Sequence, residues 1–147
     1  MGDFYMGKDV EFLNYIYQNA KMGVVGIDNI KAKIYDEELK DLIATQRKEY
    51  VTICDDATKL LNELGVGEKD ISAMAKVMTY FMANLELLKD DSASNIAKLM
   101  IEGSNKGIVE ITKKLNGYNN TNKKIEKLAR KLLVTEQHNI DELKIYL

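Results

Sequence analysis

Residues 36–64 read DEELKDLIATQRKEYVTICDDATKLLNEL, and this stretch decides the fold. Leu39, Ile43, Gln46, Tyr50, Ile53, Ala57, Leu60 and Leu64 recur at alternating spacings of four and three. That period lines up one face of an α-helix. Asp36 stands where an N-cap belongs, because its carboxylate can accept from the unpaired amides of the first turn. Glu37 and Glu38 suit the positive end of the helix dipole. Gly65 and Gly67 stop the run. A helix of about 27 residues spans roughly 40 Å, so it needs partners of similar length.

The flanking sequence supplies them. A first helix is expected over residues 8–34, with Leu13, Ile16, Ala20, Gly23, Ile27, Ile30 and Ile34 on one stripe. Almost nothing separates it from the second, so the two form an antiparallel hairpin. A fourth helix is expected from Ser92 to Leu115, ending at Asn116-Gly117. A fifth starts after Thr121 and continues to the C-terminus, with Ile125, Leu128, Leu132, Glu136, Asn139, Leu143 and Tyr146 on its stripe. These two make a second hairpin. Between the hairpins a shorter helix is expected from Ser72, its cap, to Leu88. The chain therefore reads as a single all-α domain over residues 1–147: a hairpin at 8–64, a crossover at 65–91 and a hairpin at 92–147. Two hairpins joined by one long crossover is the ferritin-like four-helix bundle arrangement, not a simple up-down-up-down bundle.

Composition agrees. The chain has 147 residues with no proline, one cysteine and one histidine. Sandwiches and α/β folds use proline freely in turns, so its absence favours long uninterrupted helices. Cys54 cannot make an internal disulfide. Cys54 and His138 together fall short of the three or four ligands of a usual zinc site. Iron–sulfur clusters need several thiolates. The N-terminal residues lack the basic and apolar regions of a signal peptide, and Met6 replaces the Ser or Thr of a myristoylation motif. No apolar run approaches a membrane span. A cytoplasmic protein is expected. Nineteen Lys against two Arg, with many Asn and Ile, suit an AT-rich bacterial genome.

The sequence also echoes itself. Residues 19–27 (NAKMGVVGI) align with 103–111 (GSNKGIVEI), and 45–50 (TQRKEY) with 135–140 (TEQHNI). Two related hairpins packed about a pseudo-twofold axis would produce such an internal repeat.

These residues resemble the ferritin-like superfamily. Its small bacterial members pair a first-helix Met-Ile-x-His-His pattern with a second-helix Gln-x-x-Glu. Met100-Ile101-Glu102 begins like the first, but Gly103 and Ser104 replace the histidines. Gln46-Arg47-Lys48-Glu49 matches the second, and Glu136-Gln137-His138-Asn139 departs from it. Di-iron members use a Glu from each of two helices and Glu-x-x-His from the other two. No Glu-x-x-His occurs in this chain. The resemblance thus implies the scaffold, with no metal or other cofactor expected. Should a degenerate iron or manganese site exist, it would draw on Gln46, Glu49, Glu102, Glu136 and Asn139, with His138 nearby.

Other features define the remaining expectations. Gln46, Tyr50, Glu136 and Asn139 occupy stripe positions and are candidates for a polar layer in mid-bundle, which fixes register if its hydrogen bonds are satisfied. Gly23 and Gly107 lie inside helices, at a cost of about 1 kcal/mol each relative to Ala. They suggest close approach of helices one and four, with clearance for a ligand as the alternative. Met74, Met78, Phe81, Met82 and Leu85 form a Met-rich crossover face that suits an irregular partner, a homodimer or another protein. Residues 1–91 carry 11 basic and 17 acidic side chains, and residues 92–147 carry 10 and 6. The cations cluster at Lys113, Lys114, Lys123, Lys124, Lys127, Arg130 and Lys131. A net charge of −2, two Arg and no interleaved aromatics argue against nucleic acid. Gly65-Val66-Gly67 lacks the Lys-Ser/Thr of a phosphate loop. A non-enzymatic assembly or protein-binding bundle is the leading expectation, ahead of a metal-binding or oxidase-like relative and a small-ligand sensor bundle.

Overall fold

A computed structural model describes residues 2–68, 75–88, 90, 92–119 and 122–147, with side chains from residue 7 onward except that of Val77. Among the described residues it is all-helical: α1 (Gly2–Ile30), α2 (Glu37–Glu63), α3 (Ala75–Glu86), α4 (Ala93–Asn116) and α5 (Lys123–Leu143). α1 begins before the expected Lys8 and gives way to a 3-10 turn at Lys31–Lys33. α5 likewise tightens into a 3-10 turn at Lys144–Tyr146. Such turns pair carbonyls that an α-helix end leaves open.

Side chains cap three helices, α2 at the expected Asp36 and α4 and α5 at Ser92 and Asn122. Asp36 Oδ1 accepts from the Leu39 amide at 2.9 Å, and Ser92 Oγ from that of Asn95 at 3.3 Å. Asn122 Oδ1 accepts from Lys124 at 3.0 Å and Ile125 at 3.4 Å. Gly65, at φ 79°, takes the left-handed conformation that ends α2. The cap expected at Ser72 and the face residue Met74 lie outside the described residues.

Cross-helix contacts fix the directions. Asp28 meets Arg47 and Tyr17 meets Cys54, so α1 and α2 run antiparallel. Asn19 meets Gly107 and Asp9 meets Tyr118, so α1 and α4 also run antiparallel. Gln46 meets Asn139 and Asp56 meets Lys131, giving the same relation between α2 and α5. α2 and α4 therefore point the same way, and the chain must travel back along the bundle between them. α3 lies on that return path, against α1 and α4.

The stripes are the core. Leu13, Ile16, Ala20, Ile30, Ile53, Leu132 and Leu143 are fully buried. One stripe needs correction. Leu60 and Leu64 are only partly covered, and Leu61 is fully buried instead. A straight helix turns every 3.6 residues and drifts about 20° per heptad from a 3.5 repeat. Three heptads after Leu39, that drift carries the core position from Leu60 to Leu61.

The basic second hairpin is partly answered by acids. Lys131 pairs with Asp56 at 3.4 Å and Lys124 with Glu63 at 3.9 Å, linking α5 to α2. Arg130 and Lys123 both reach Glu126 within α5. These pairs are exposed and contribute little individually.

Candidate functional site

Gly23 and Gly107 do not serve mainly to bring two backbones together. A Cβ on Gly23 would lie 2.8 Å from the ring of Tyr50, and one on Gly107 would lie 2.5 Å from Glu136 Oε1. Each glycine admits a large side chain from the neighbouring helix of its own hairpin. α1 and α4 do touch there, since Asn19 Nδ2 donates to the Gly107 carbonyl at 3.3 Å.

A cavity of about 150 Å³ opens between α1, α3 and α4 beside these glycines. Tyr15, Asn19, Met22 and Gly26 form its α1 wall, with Met78, Tyr80 and Phe81 facing from α3. Leu99, Gly103, Ser104 and Gly107 line it from α4. Tyr50 and Glu136 close the deep end from α2 and α5, each nearly fully buried. Glu102, Lys106, Glu110 and Tyr80 are exposed at the rim. Lys106 Nζ rests 3.9 Å from the centre of the Tyr80 ring.

Glu136 is the anomaly. It is 3% exposed, and its Oε2 has no hydrogen-bond partner. Burial pushes its carboxyl up to about 8 from an ordinary 4.5, because a charge without partners is expensive in an apolar setting. The phenols of Tyr15 and Tyr50 are raised as well, mainly by burial and further by nearby carboxylates including Glu136.

The other three candidate layer residues behave differently. Gln46 Nε2 donates to the Asn139 carbonyl at 3.3 Å. The hydrogen-bond network orients the Asn139 amide so that its nitrogen donates to Glu49 Oε2 at 3.0 Å and to the Thr135 carbonyl at 3.2 Å. Asn139 and Ser104 are hydrogen-bonding neighbours of the Tyr50 hydroxyl. Gln46, Glu49, Tyr50 and Asn139 thus share a network, while Glu136 turns from it toward Gly107 and the cavity. Glu49 is half-buried, and its carboxyl is raised by burial and by Glu142, against an opposing effect of His138.

Glu102 stands at the rim, apart from this network. Among the described residues, no three His, Cys, Asp or Glu gather closely enough to hold a metal ion. Of the residues proposed for a degenerate iron or manganese site, Glu49, Glu102 and Glu136 therefore do not gather as three carboxylates, while Gln46, Glu49 and Asn139 do meet. His138 is exposed and lies 3.5 Å from Glu142. Cys54 is buried, its Sγ 3.9 Å from the Tyr17 carbonyl, and burial raises its thiol to about 11. A thiol of that kind is a poor nucleophile. On the crossover face, Met78 and Phe81 turn to the cavity, while Met82 and Leu85 pack on the core.

Tyr15, Asn19, Met22 and Gly26 were not singled out as one wall by their residue types. Their spacings of four, three and four do mark a second stripe, one position from the core stripe, and that was the available signal. Among the described residues no helix is long and apolar enough to cross a membrane. No family model, curated protein or solved structure matches the chain.

Proposed function

We propose that this protein is a small-ligand-binding bundle on a ferritin-like scaffold, with its ligand pocket between α1, α3 and α4. The observation that carries the reading is the cavity with Glu136 Oε2 and the Tyr15 hydroxyl unpartnered in its lining. Apolar walls with a few convergent polar groups and one perturbed titratable residue are the usual makeup of a ligand site. The scaffold reading draws on the two antiparallel hairpins and on the parallel course of α2 and α4, which demands a long crossover.

The competing roles have less behind them. An assembly role drew on the Met-rich face of α3, where Phe81, Met82 and Leu85 pack on the chain's own core and Met78 lines the cavity. A metal role lacks a cluster of three His, Cys, Asp or Glu among the described residues.

Toluene tests the pocket, because a cavity near 150 Å³ admits a benzene-sized molecule. Titration should give a saturable rise in melting temperature and shift amide resonances of α1, α3 and α4. Gly103→Phe should abolish both, since a Cβ there meets nothing within 4 Å and the ring can occupy the mouth. Absence of saturable toluene binding by the wild-type chain would overturn the reading.

A further inference from the structure

We infer that the ligand is a small primary amine with an apolar body, whose ammonium group seats against the Glu136 carboxyl in the α1–α3–α4 cavity. The inference rests on the small-ligand reading above and names the chemistry of the ligand.

Three features select this class. First, Glu136 Oε2 is buried without a partner, as is the Tyr15 hydroxyl on the same lining, and an incoming ammonium can donate to both. An ammonium supplies three donors and a neutralising charge, which makes a charge-assisted bond in a water-poor setting. A hydroxyl supplies one donor and no charge. A carboxylate or phosphate would add negative charge to a lining that already carries Glu102 and Glu110.

Second, the lining is electronegative. Glu102 and Glu110 border the cavity against Lys106, which is drawn over the Tyr80 ring at the rim, while Lys114 Nζ lies 5.0 Å from the centre of the Tyr15 ring. Third, the space suits a body the size of a benzene ring or a short alkyl chain. A bare metal ion is a worse occupant, because hard cations need several oxygen ligands and no such cluster is present among the described residues.

Binding should be linked to protons. The titratable groups that share the cavity lining with Glu136 are Tyr15 from α1, Tyr50 from α2, Tyr80 from α3, and Glu102, Lys106 and Glu110 from α4, with Lys114 of α4 against the Tyr15 ring. Burial raises Tyr15 and Tyr50 further above neutrality, so both phenols stay protonated there. Glu136 holds its proton near neutrality in the empty site. Seating an ammonium converts it to carboxylate, and one proton leaves to solvent.

Calorimetric titration of the full chain with benzylamine, benzyl alcohol and toluene, in buffers of different ionisation heat, tests this. Wild type should bind benzylamine, present as its ammonium, at least about tenfold tighter than the two neutral probes, a gap of about 1.4 kcal/mol. Binding should release close to one proton near neutral pH. Glu136→Gln should lose the benzylamine preference and keep toluene. Toluene binding without a benzylamine preference would overturn the amine assignment and leave the pocket reading standing. Failure of all three probes would overturn both. The wild-type series decides the question alone, whatever the stability of the variant.

Discussion

Glu136 sits on the core stripe of α5 between Leu132 and Leu143, so folding buries it whether or not it is charged. Its carboxyl titrates near 8 in the folded chain, against 4.5 ordinarily. Between those values the unfolded chain has given up a proton that the folded chain retains. Stability contributed by the neutral group is complete below about pH 4.5 and is lost as pH rises through about 8. The slope inside the window is about 1.4 kcal/mol per pH unit for one such group. Glu49, raised in the same direction, adds to it, while the Asp28 carboxyl, lowered first by its hydrogen bond from Arg47, acts in the opposite sense at lower pH. Urea denaturation between about pH 5 and about pH 8 should therefore show wild type losing stability as pH rises. Glu136→Gln cannot ionise and should lose much less. Parallel pH profiles for the two chains would show that Glu136 does not hold a proton in the folded state.

Helix ends carry a separate and more local kind of information. Asp36 and Asn122 each satisfy amides at the start of a long helix with a side-chain oxygen. Replacing either by Ala should cost about 1 kcal/mol. The ends lie far apart, because Lys124 neighbours Glu63 at the opposite end of α2 from Asp36. The double variant should therefore show the sum of the single losses by urea denaturation, within about 0.5 kcal/mol. Lys131→Ala, which breaks an exposed pair with Asp56, should cost less than either cap. The Asp36 cap was legible in the sequence because it depends on residue types within four positions. The slip from Leu60 to Leu61 was less legible, since it accumulates over the length of α2 and depends on how straight that helix runs. Glu136 was legible as buried from its stripe. That Gly107 receives it was not, because helical spacing does not say which neighbouring face meets a missing Cβ.

At the scale of the molecule, the cavity is a property of fit among three helices, and no single stripe encodes it. Each wall is periodic in the sequence, but the volume between the walls depends on how α3 lies across α1 and α4. α3 is also the least anchored of the three. It has 12 residues, and Leu85 is its nearly fully buried hydrophobic residue, while Phe81 and Met82 are partly buried. Short helices with little burial open with smaller free energies than the core around them. Amides of α3 should therefore exchange with deuterium well before those of Ile53 in α2 and Leu132 in α5, which are fully buried. Met78, Tyr80 and Phe81 line the cavity from α3, so a ligand held there adds contacts that the open form of α3 loses. Saturation with a bound probe should slow exchange in α3 by the factor 1 + [L]/Kd, roughly a hundredfold at a hundred times Kd, if release accompanies opening. The far ends of the hairpins, around Asp36 and Tyr118, should exchange at unchanged rates. Equal slowing throughout the chain would mean that the ligand stabilises the bundle as one unit. Slowing concentrated in α3 would mark the crossover as the element that opens to let the ligand in.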